Sequence, residues 1–128
     1  MREHLFRAQR KDTKQWVFGS LVNMPNSTFI IPKTDTDKLP DFIEVDPSTV
    51  GKFTNRYCKD KPIYEGDILY EDCPEVYKIV YYDEKATEYR VKYTDRDQTF
   101  AFCGLSDRAL QLYNTIVGNI FDNPEFLK

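Results

Sequence analysis

The strongest constraint on the fold comes from two short segments that alternate apolar and polar residues on either side of a polar turn. The segments are VYKIVYY at 76–82 and EYRVKY at 88–93, and DEKAT joins them. Successive side chains of a β-strand point to opposite faces. The alternation therefore predicts an antiparallel hairpin with three side chains on one face of each strand. These side chains are Tyr77, Ile79 and Tyr81 in the first strand and Tyr89, Val91 and Tyr93 in the second.

The aromatic content extends the β prediction to the rest of the chain. Aromatic residues make up 15% of the 128 residues, and they suit the pleated, half-buried surface of a strand. Turn residues separate the short apolar runs, and one helix is expected near residues 106–114 with Ser106 as its N-cap. We predict a mainly β fold, a small closed or partly open β-barrel of short antiparallel strands with one short helix. A single domain is expected over residues 1–128, with 1–45 as a candidate N-terminal sub-lobe.

Charge and cysteine spacing weigh against several kinds of ligand. Eighteen Lys and Arg against 21 Asp and Glu give a net charge of -3, so duplex DNA is not an expected partner. The three cysteines are irregularly spaced and the chain has one histidine, so neither a metal site nor a cofactor is expected. No apolar run reaches membrane length. The expectation is a cytoplasmic protein with reduced thiols and no membrane partner.

The stretch KPIYEGDILY, residues 61–70, contains two carboxylates around one glycine. Glu65 and Asp67 would share a face of a regular strand, and paired carboxylates can divide into an acid and a base. Such pairs usually face each other across a cleft from different elements. We favour a strand that bends at Gly66, where Asp67 accepts hydrogen bonds from turn amides. No catalytic residue is predicted, and we do not expect an enzyme.

Three groups of motifs resemble the YopX family, small proteins of bacteriophages, prophages and related mobile elements. The motifs are FRAQRKDTKQWVFG, then TVGKFTN with PIYEGDIL, and finally IVGNIFDNPEFL. The chain departs from the family pattern at Gln9, where an aromatic residue is usual, and at Asn55-Arg56, where Gly-Leu is usual. The resemblance implies a β-rich fold and a mobile-element origin, and it supplies no activity and no catalytic residues. The signature positions are Gly51, Gly66, Asp67, Gly118 and Asn119.

The leading functional hypothesis is a non-enzymatic binding module that acts through protein–protein contacts and self-association. The hypothesis has three grounds. The sequence shows no group of residues typical of a catalytic site, many aromatic residues lie in predicted strands, and the resemblance implies a mobile-element origin. The partner is then an unknown protein or a second copy of the chain, in a homo-oligomer. A polar stretch from Lys33 to Asp41 is the best candidate for a mobile loop.

The alternative is sequestration of a small anionic, nucleotide-like ligand in counter-defence, or weak binding of single-stranded nucleic acid. Basic residues interleaved with aromatic ones can hold phosphates and stack bases. The candidate ligand-binding residues are Trp16, Arg56, Tyr57, Lys59, Lys61, Arg90 and Lys92. Lysine and arginine would contact phosphate, and Trp16 or Tyr57 would stack. A deep pocket is the geometry that this hypothesis requires.

Overall fold

A computed structural model describes residues 5–33, 41–72 and 75–127 of the chain. The chain divides into two compact units, residues 1–53 and 54–128. The boundary falls within one strand, β5 (Gly51–Cys58), so that its first three residues belong to the first unit and the rest to the second.

The first unit is built on an antiparallel sheet. Its strands are β1 (Phe6–Gln9), β2 (Trp16–Met24), β3 (Ser27–Ile31) and β4 (Ile43–Glu44), and a 3-10 turn follows at Pro47–Thr49. The strand order is β4-β3-β2-β1, and the first residues of β5 pair with β1. One face of the sheet buries Ala8, Ile30 and Val45. Burying an aliphatic side chain such as Ile30 contributes about 1.5–3 kcal/mol.

The second unit contains the remaining strands and the helix. Its elements after β5 are β6 (Lys61–Tyr64), β7 (Asp67–Asp72), β8 (Glu75–Asp83), β9 (Glu88–Tyr93), β10 (Thr99–Ala101), α1 (Asp107–Leu112) and β11 (Asn114–Asn119), with 3-10 turns at Phe102–Gly104 and Pro124–Leu127. Strands β7 to β11 form an antiparallel sheet in the order β10-β9-β8-β7-β11. The buried core consists of Cys58, Ile63, Leu69, Val80, Val91, Phe102 and Leu110.

Strands β8 and β9 form the predicted hairpin. The three residues of β8 that the alternation places on one face are half-buried: Tyr77, Ile79 and Tyr81. The other face of β8 lies in the core, where Val80 is opposite Val91. That core face also carries Lys78, which is only 1% exposed. The alternation thus predicts the pairing of β8 with β9, but it does not predict that Lys78 is buried in the core.

The mainly β fold class is confirmed, and so is the short helix. The helix begins after Ser106, whose hydroxyl accepts a hydrogen bond from the Ala109 N–H at 3.1 Å, and it ends at Leu112. Within the described ranges the strands form two antiparallel sheets without a closed barrel, which agrees with the partly open form of the prediction. Residues 34–40 of the loop predicted to be mobile lie outside the described residues.

The stretch KPIYEGDILY forms two strands instead of the single bent strand that we expected. Strand β6 ends at Tyr64 and β7 begins at Asp67, and the two strands belong to different sheets. Between them Gly66 adopts a φ of 91°, which a residue without a Cβ reaches without steric cost. The glycine therefore permits a corner at which the chain leaves one sheet and enters the other.

Candidate functional site

The corner at Gly66 is fixed by four neighbouring residues. Asp67 is 2% exposed, and its Oδ2 accepts a hydrogen bond from the Tyr64 N–H at 2.8 Å. The Gly66 N–H donates to the Val80 carbonyl at 2.7 Å, and the Gly66 carbonyl accepts from the Ile120 N–H at 2.9 Å. Bonds between a carboxylate and backbone N–H groups are stronger than neutral ones. The geometry is that of a structural corner, and it joins the EGD motif to the C-terminal motif.

The C-terminal motif GNIFDNPEF forms a turn held by two asparagine side chains. Asn119 Oδ1 accepts hydrogen bonds from the N–H groups of Phe121 and Asp122, at 3.0 and 2.9 Å. Asn123 Oδ1 accepts from the Asn119 N–H at 3.2 Å. The Asn123 side chain lies where a Cβ on residue 118 would be, so a larger residue there would require that side chain to shift. These residues fix the backbone of the turn, and the side-chain oxygens of both asparagines accept hydrogen bonds from backbone N–H groups within it.

Arg56, the first of the predicted ligand-binding cations, braces the segment that leads into α1. Its guanidinium donates to the carbonyls of Phe102, at 2.9 Å, and of Leu105, and to the Asp107 carboxylate at 3.1 Å. The guanidinium also lies over the Phe102 ring, 4.9 Å from its centroid, which is within the limit of about 6 Å for a cation–π contact. The preceding Asn55 has a φ of 69°. Asparagine tolerates this left-handed conformation better than other side chains, which explains how it replaces the family's usual glycine.

The other predicted cations do not converge on one site. Lys59 Nζ donates to Thr115 Oγ1 at 2.8 Å, and Arg90 donates to Glu88 Oε2 at 2.5 Å. Lys61 is exposed on β6. Lys92 lies on β9 and lines a shallow cavity. The structure thus gives two of these four cations side-chain acceptors and places one in a concave surface.

Trp16 and Gly51 lie in the first unit. The Arg7 guanidinium lies over the Trp16 ring, 4.8 Å from its centroid. Gly51 is buried and is paired with Arg7 between β1 and β5. The face of Trp16 that we predicted to stack on a ligand thus has a cation from its own unit beside it.

Tyr57, by contrast, is part of an exposed apolar surface at the end of α1. The exposed fractions of Tyr57, Leu112 and Tyr113 are 44%, 57% and 58%. Gln111 Nε2 donates to the Tyr57 carbonyl at 3.0 Å, which holds β5 alongside the end of the helix. We call these three exposed residues the Tyr57 surface. Clustered apolar side chains on a protein surface mark interaction sites more often than scattered ones do.

Glu71, Lys78 and Asn114 form a polar cluster, which we call the Lys78 cluster, in which Lys78 and Asn114 are buried and Glu71 is half-buried. Lys78 Nζ donates to Glu71 Oε1 at 3.0 Å and to Asn114 Oδ1 at 2.6 Å. Asn114 is 0% exposed, and its Nδ2 donates to the Ala109 carbonyl at 3.0 Å. A buried ammonium group is tolerated only when acceptors surround it. The cluster therefore links β7, β8 and β11 to the helix.

The sequence contains a partial signal for this cluster. Lys78 follows Val76 and precedes Val80 at a spacing of two, so it is in phase with apolar residues on one face. A lysine at such a position indicates either a solvated strand edge or a buried ion pair. Asn114 is 36 residues away along the chain, and only the strand order brings it to Lys78.

Cys58 is a buried thiol that contacts the backbone of the Lys78 cluster at Asn114. Its Sγ donates to the carbonyls of Leu110 and Asn114, at 3.1 and 3.2 Å. Burial raises the pKa of this thiol, and the opposing effect of the Lys59 charge is smaller. Because the thiolate is the reactive form, both the raised pKa and the low exposure make Cys58 a poor nucleophile.

We predict that Cys58 resists alkylation in the folded protein. Iodoacetamide at neutral pH should label Cys103, which is exposed, and should label Cys58 only at the rate at which the chain unfolds. Mass spectrometry of peptides over a time course measures both rates, and labelling in denaturant gives the unprotected reference. Equal rates for the two thiols without denaturant would contradict the burial of Cys58.

No group of three or more His, Cys, Asp or Glu in the described ranges is placed to hold a metal ion. Of the helices in those same ranges, none has the length and apolar character that a membrane span requires.

Comparison with known protein families supports the resemblance that the sequence motifs carry. The search of curated proteins gives no match. A family model described as YopX protein matches residues 5–128. This range includes the hairpin, the corner at Gly66 and the turn at Asn119, whose hydrogen bonds connect the motifs that carried the resemblance. The chain belongs to the YopX family.

Proposed function

We propose that this YopX-family protein is a non-enzymatic binding module that associates with a second copy of itself through the Tyr57 surface. A cytoplasmic location and a phage or mobile-element origin form part of the same proposal, on the basis of the family's usual source. The observation that supports it is the exposure of Leu112 and Tyr113 at the end of α1 and of Tyr57, whose backbone carbonyl accepts a hydrogen bond from Gln111 of the same helix. Tyrosine is enriched in the buried centres of protein interfaces.

The Tyr57 surface is supported by a rigid frame, which favours association. Arg56 and Cys58, on either side of Tyr57, are hydrogen-bonded to the carbonyls of Phe102, Leu105 and Leu110. A surface that is already ordered loses less conformational entropy when it binds. The net charge of -3 is small, so repulsion between two copies is weak.

The anion-binding alternative has weaker support. Arg56, Lys59 and Arg90 already donate to acceptors of their own unit, so a phosphate would have to displace those bonds. The same holds for single-stranded nucleic acid. The Tyr57 surface offers exposed aromatic and aliphatic area to a second copy of the chain, and burial of such area favours association.

We expect light scattering to detect a dimer or larger assembly at tens of micromolar protein. Replacing Leu112 with lysine should weaken the association roughly tenfold or more, because it introduces a charge that must be desolvated at the interface. Sedimentation equilibrium at several concentrations gives the dissociation constant.

The matched control is Met24→Lys, in the first unit. Met24 is 55% exposed, close to the 57% of Leu112, and the substitution makes the same change in charge. It should leave the dissociation constant unchanged. A strict monomer at tens of micromolar, or equal weakening by both substitutions, would exclude the Tyr57 surface as the contact.

A further inference from the structure

A cavity of about 410 Å³ lies on the outer face of the five-stranded sheet. Its apolar part is formed by Ile79 of β8 and Leu127 of the last 3-10 turn, and its polar part by Lys92, Thr94 and Asp97. This volume is in the range of sites that hold small molecules. The cavity is open on one side, which predicts modest affinity.

Arg96 and Asp95, which line the cavity, form an ion pair with each other. The Arg96 guanidinium donates two hydrogen bonds to the Asp95 carboxylate, at 2.9 and 3.0 Å. The same guanidinium lies 4.8 Å from the centroid of the Tyr93 ring. Arg96 and Asp95 therefore neutralise each other in the wall of the cavity.

The two other charges of the cavity have no such partner. Within the described part of the chain, no acceptor binds Lys92 Nζ and no donor binds the Asp97 carboxylate. The cavity thus offers one ammonium and one carboxylate beside an apolar floor. A ligand with a single charge would satisfy one of these groups and be repelled by the other.

The backbone around the cavity is held in place. The Thr94 N–H donates to the Tyr77 carbonyl at 3.0 Å, and the Tyr93 N–H donates to the Gln98 carbonyl at 3.1 Å. Phe126, next to Leu127, stacks on the Tyr77 ring with centroids 4.8 Å apart. These contacts fix both sides of the cavity, so binding requires little reordering of the chain.

We propose that this cavity binds a small zwitterion that carries an apolar side chain, with the chemistry of an apolar amino acid or a dipeptide with free ends. Its carboxylate contacts Lys92, its ammonium group contacts Asp97, and its side chain packs on Ile79 and Leu127. The site is separate from the Tyr57 surface in its residues, so the test does not depend on self-association.

The test is a titration of the 15N-labelled protein followed by NMR. Leucine or leucyl-leucine at millimolar concentration should cause saturable shifts of the amide signals of residues 92–97. The ligand that saturates at lower concentration identifies the free amino acid or the dipeptide as the source. N-acetyl-leucine, which lacks the ammonium group, and leucinamide, which lacks the carboxylate, should each bind roughly tenfold more weakly, because each loses a charge-assisted hydrogen bond.

Two substitutions test the residues. Lys92→Met should reduce the affinity roughly tenfold, and so should Asp97→Asn. Lys85→Met is the matched control, because Lys85 is exposed in the turn between β8 and β9 and does not line the cavity. The proposal is overturned if neither leucine nor leucyl-leucine gives saturable shifts. Equal binding of the blocked ligands, or equal affinity of Lys92→Met and Lys85→Met, overturns it as well.

Discussion

Replacing Asn114 with leucine should lower the free energy of unfolding by about 3 kcal/mol, because it leaves a buried ammonium group with one acceptor instead of two. Lys78 Nζ donates to Asn114 Oδ1 at 2.6 Å, and the lysine side chain is 2% exposed. The substitution also removes the bond from Asn114 Nδ2 to the Ala109 carbonyl. Chemical denaturation followed by tyrosine fluorescence measures the loss.

A double-mutant cycle separates the buried charge from the change in shape. Lys78→Met alone should cost about 1–3 kcal/mol, because it leaves Asn114 Oδ1 buried without a donor. Combined with Asn114→Leu, it removes both partners, and the double variant should be more stable than Asn114→Leu alone. If the two losses are additive, the contact between Lys78 and Asn114 contributes no coupling energy, and the Lys78 cluster is only a packing feature.

The Lys78 cluster also affects how the Tyr57 surface is held. Asn114 accepts from Lys78 and donates to Ala109, while its own carbonyl accepts from the Cys58 thiol. One side chain and its backbone therefore connect the sheet, the helix and β5. If the proposal of self-association is correct, Asn114→Leu weakens assembly as well as stability, because Tyr57 and Leu112 lose their common support.

Local patterns in the sequence predict those parts of the fold that depend on neighbouring residues. The alternation around Val80 and Val91 predicts the β8–β9 hairpin because the period of two is a property of each strand. Ser106 predicts the start of α1 because an N-cap acts on amides within its own first turn. In both cases the partners that form the hydrogen bonds lie within about 15 residues of each other.

The parts that the sequence does not predict depend on long-range pairing. Arg56 lies in a basic, aromatic-rich segment, which predicts a ligand-binding cation. Its acceptors are the carbonyls of Phe102 and Leu105, which lie 46 and 49 residues away along the chain. Gly66 predicts a change of direction, and only the sheet order shows that the strands on either side of it belong to different sheets. A side chain's role in such cases is decided by which strand lies beside it, and the local sequence does not contain that information.

The Gly118→Ala substitution should lower the free energy of unfolding by about 2 kcal/mol, because the added methyl group meets a fixed side chain. An ideal Cβ at this position lies 2.1 Å from Asn123 Oδ1 and 2.5 Å from Asn123 Cγ. Asn123 would have to move, and it would lose the hydrogen bond from the Asn119 N–H. Thermal and chemical denaturation measure the effect on the second unit.

Two controls distinguish this clash from the intrinsic effect of replacing glycine. At Gly104 no heavy atom lies within 4 Å of an added Cβ, so Gly104→Ala should change stability by no more than about 0.5 kcal/mol. Truncating the obstructing side chain gives the second control, since Gly118→Ala should cost little in an Asn123→Ala background. If Gly118→Ala costs the same in both backgrounds, the methyl group does not act through Asn123. The space that the glycine leaves for the Asn123 side chain would then not be the reason for its place in the family motif.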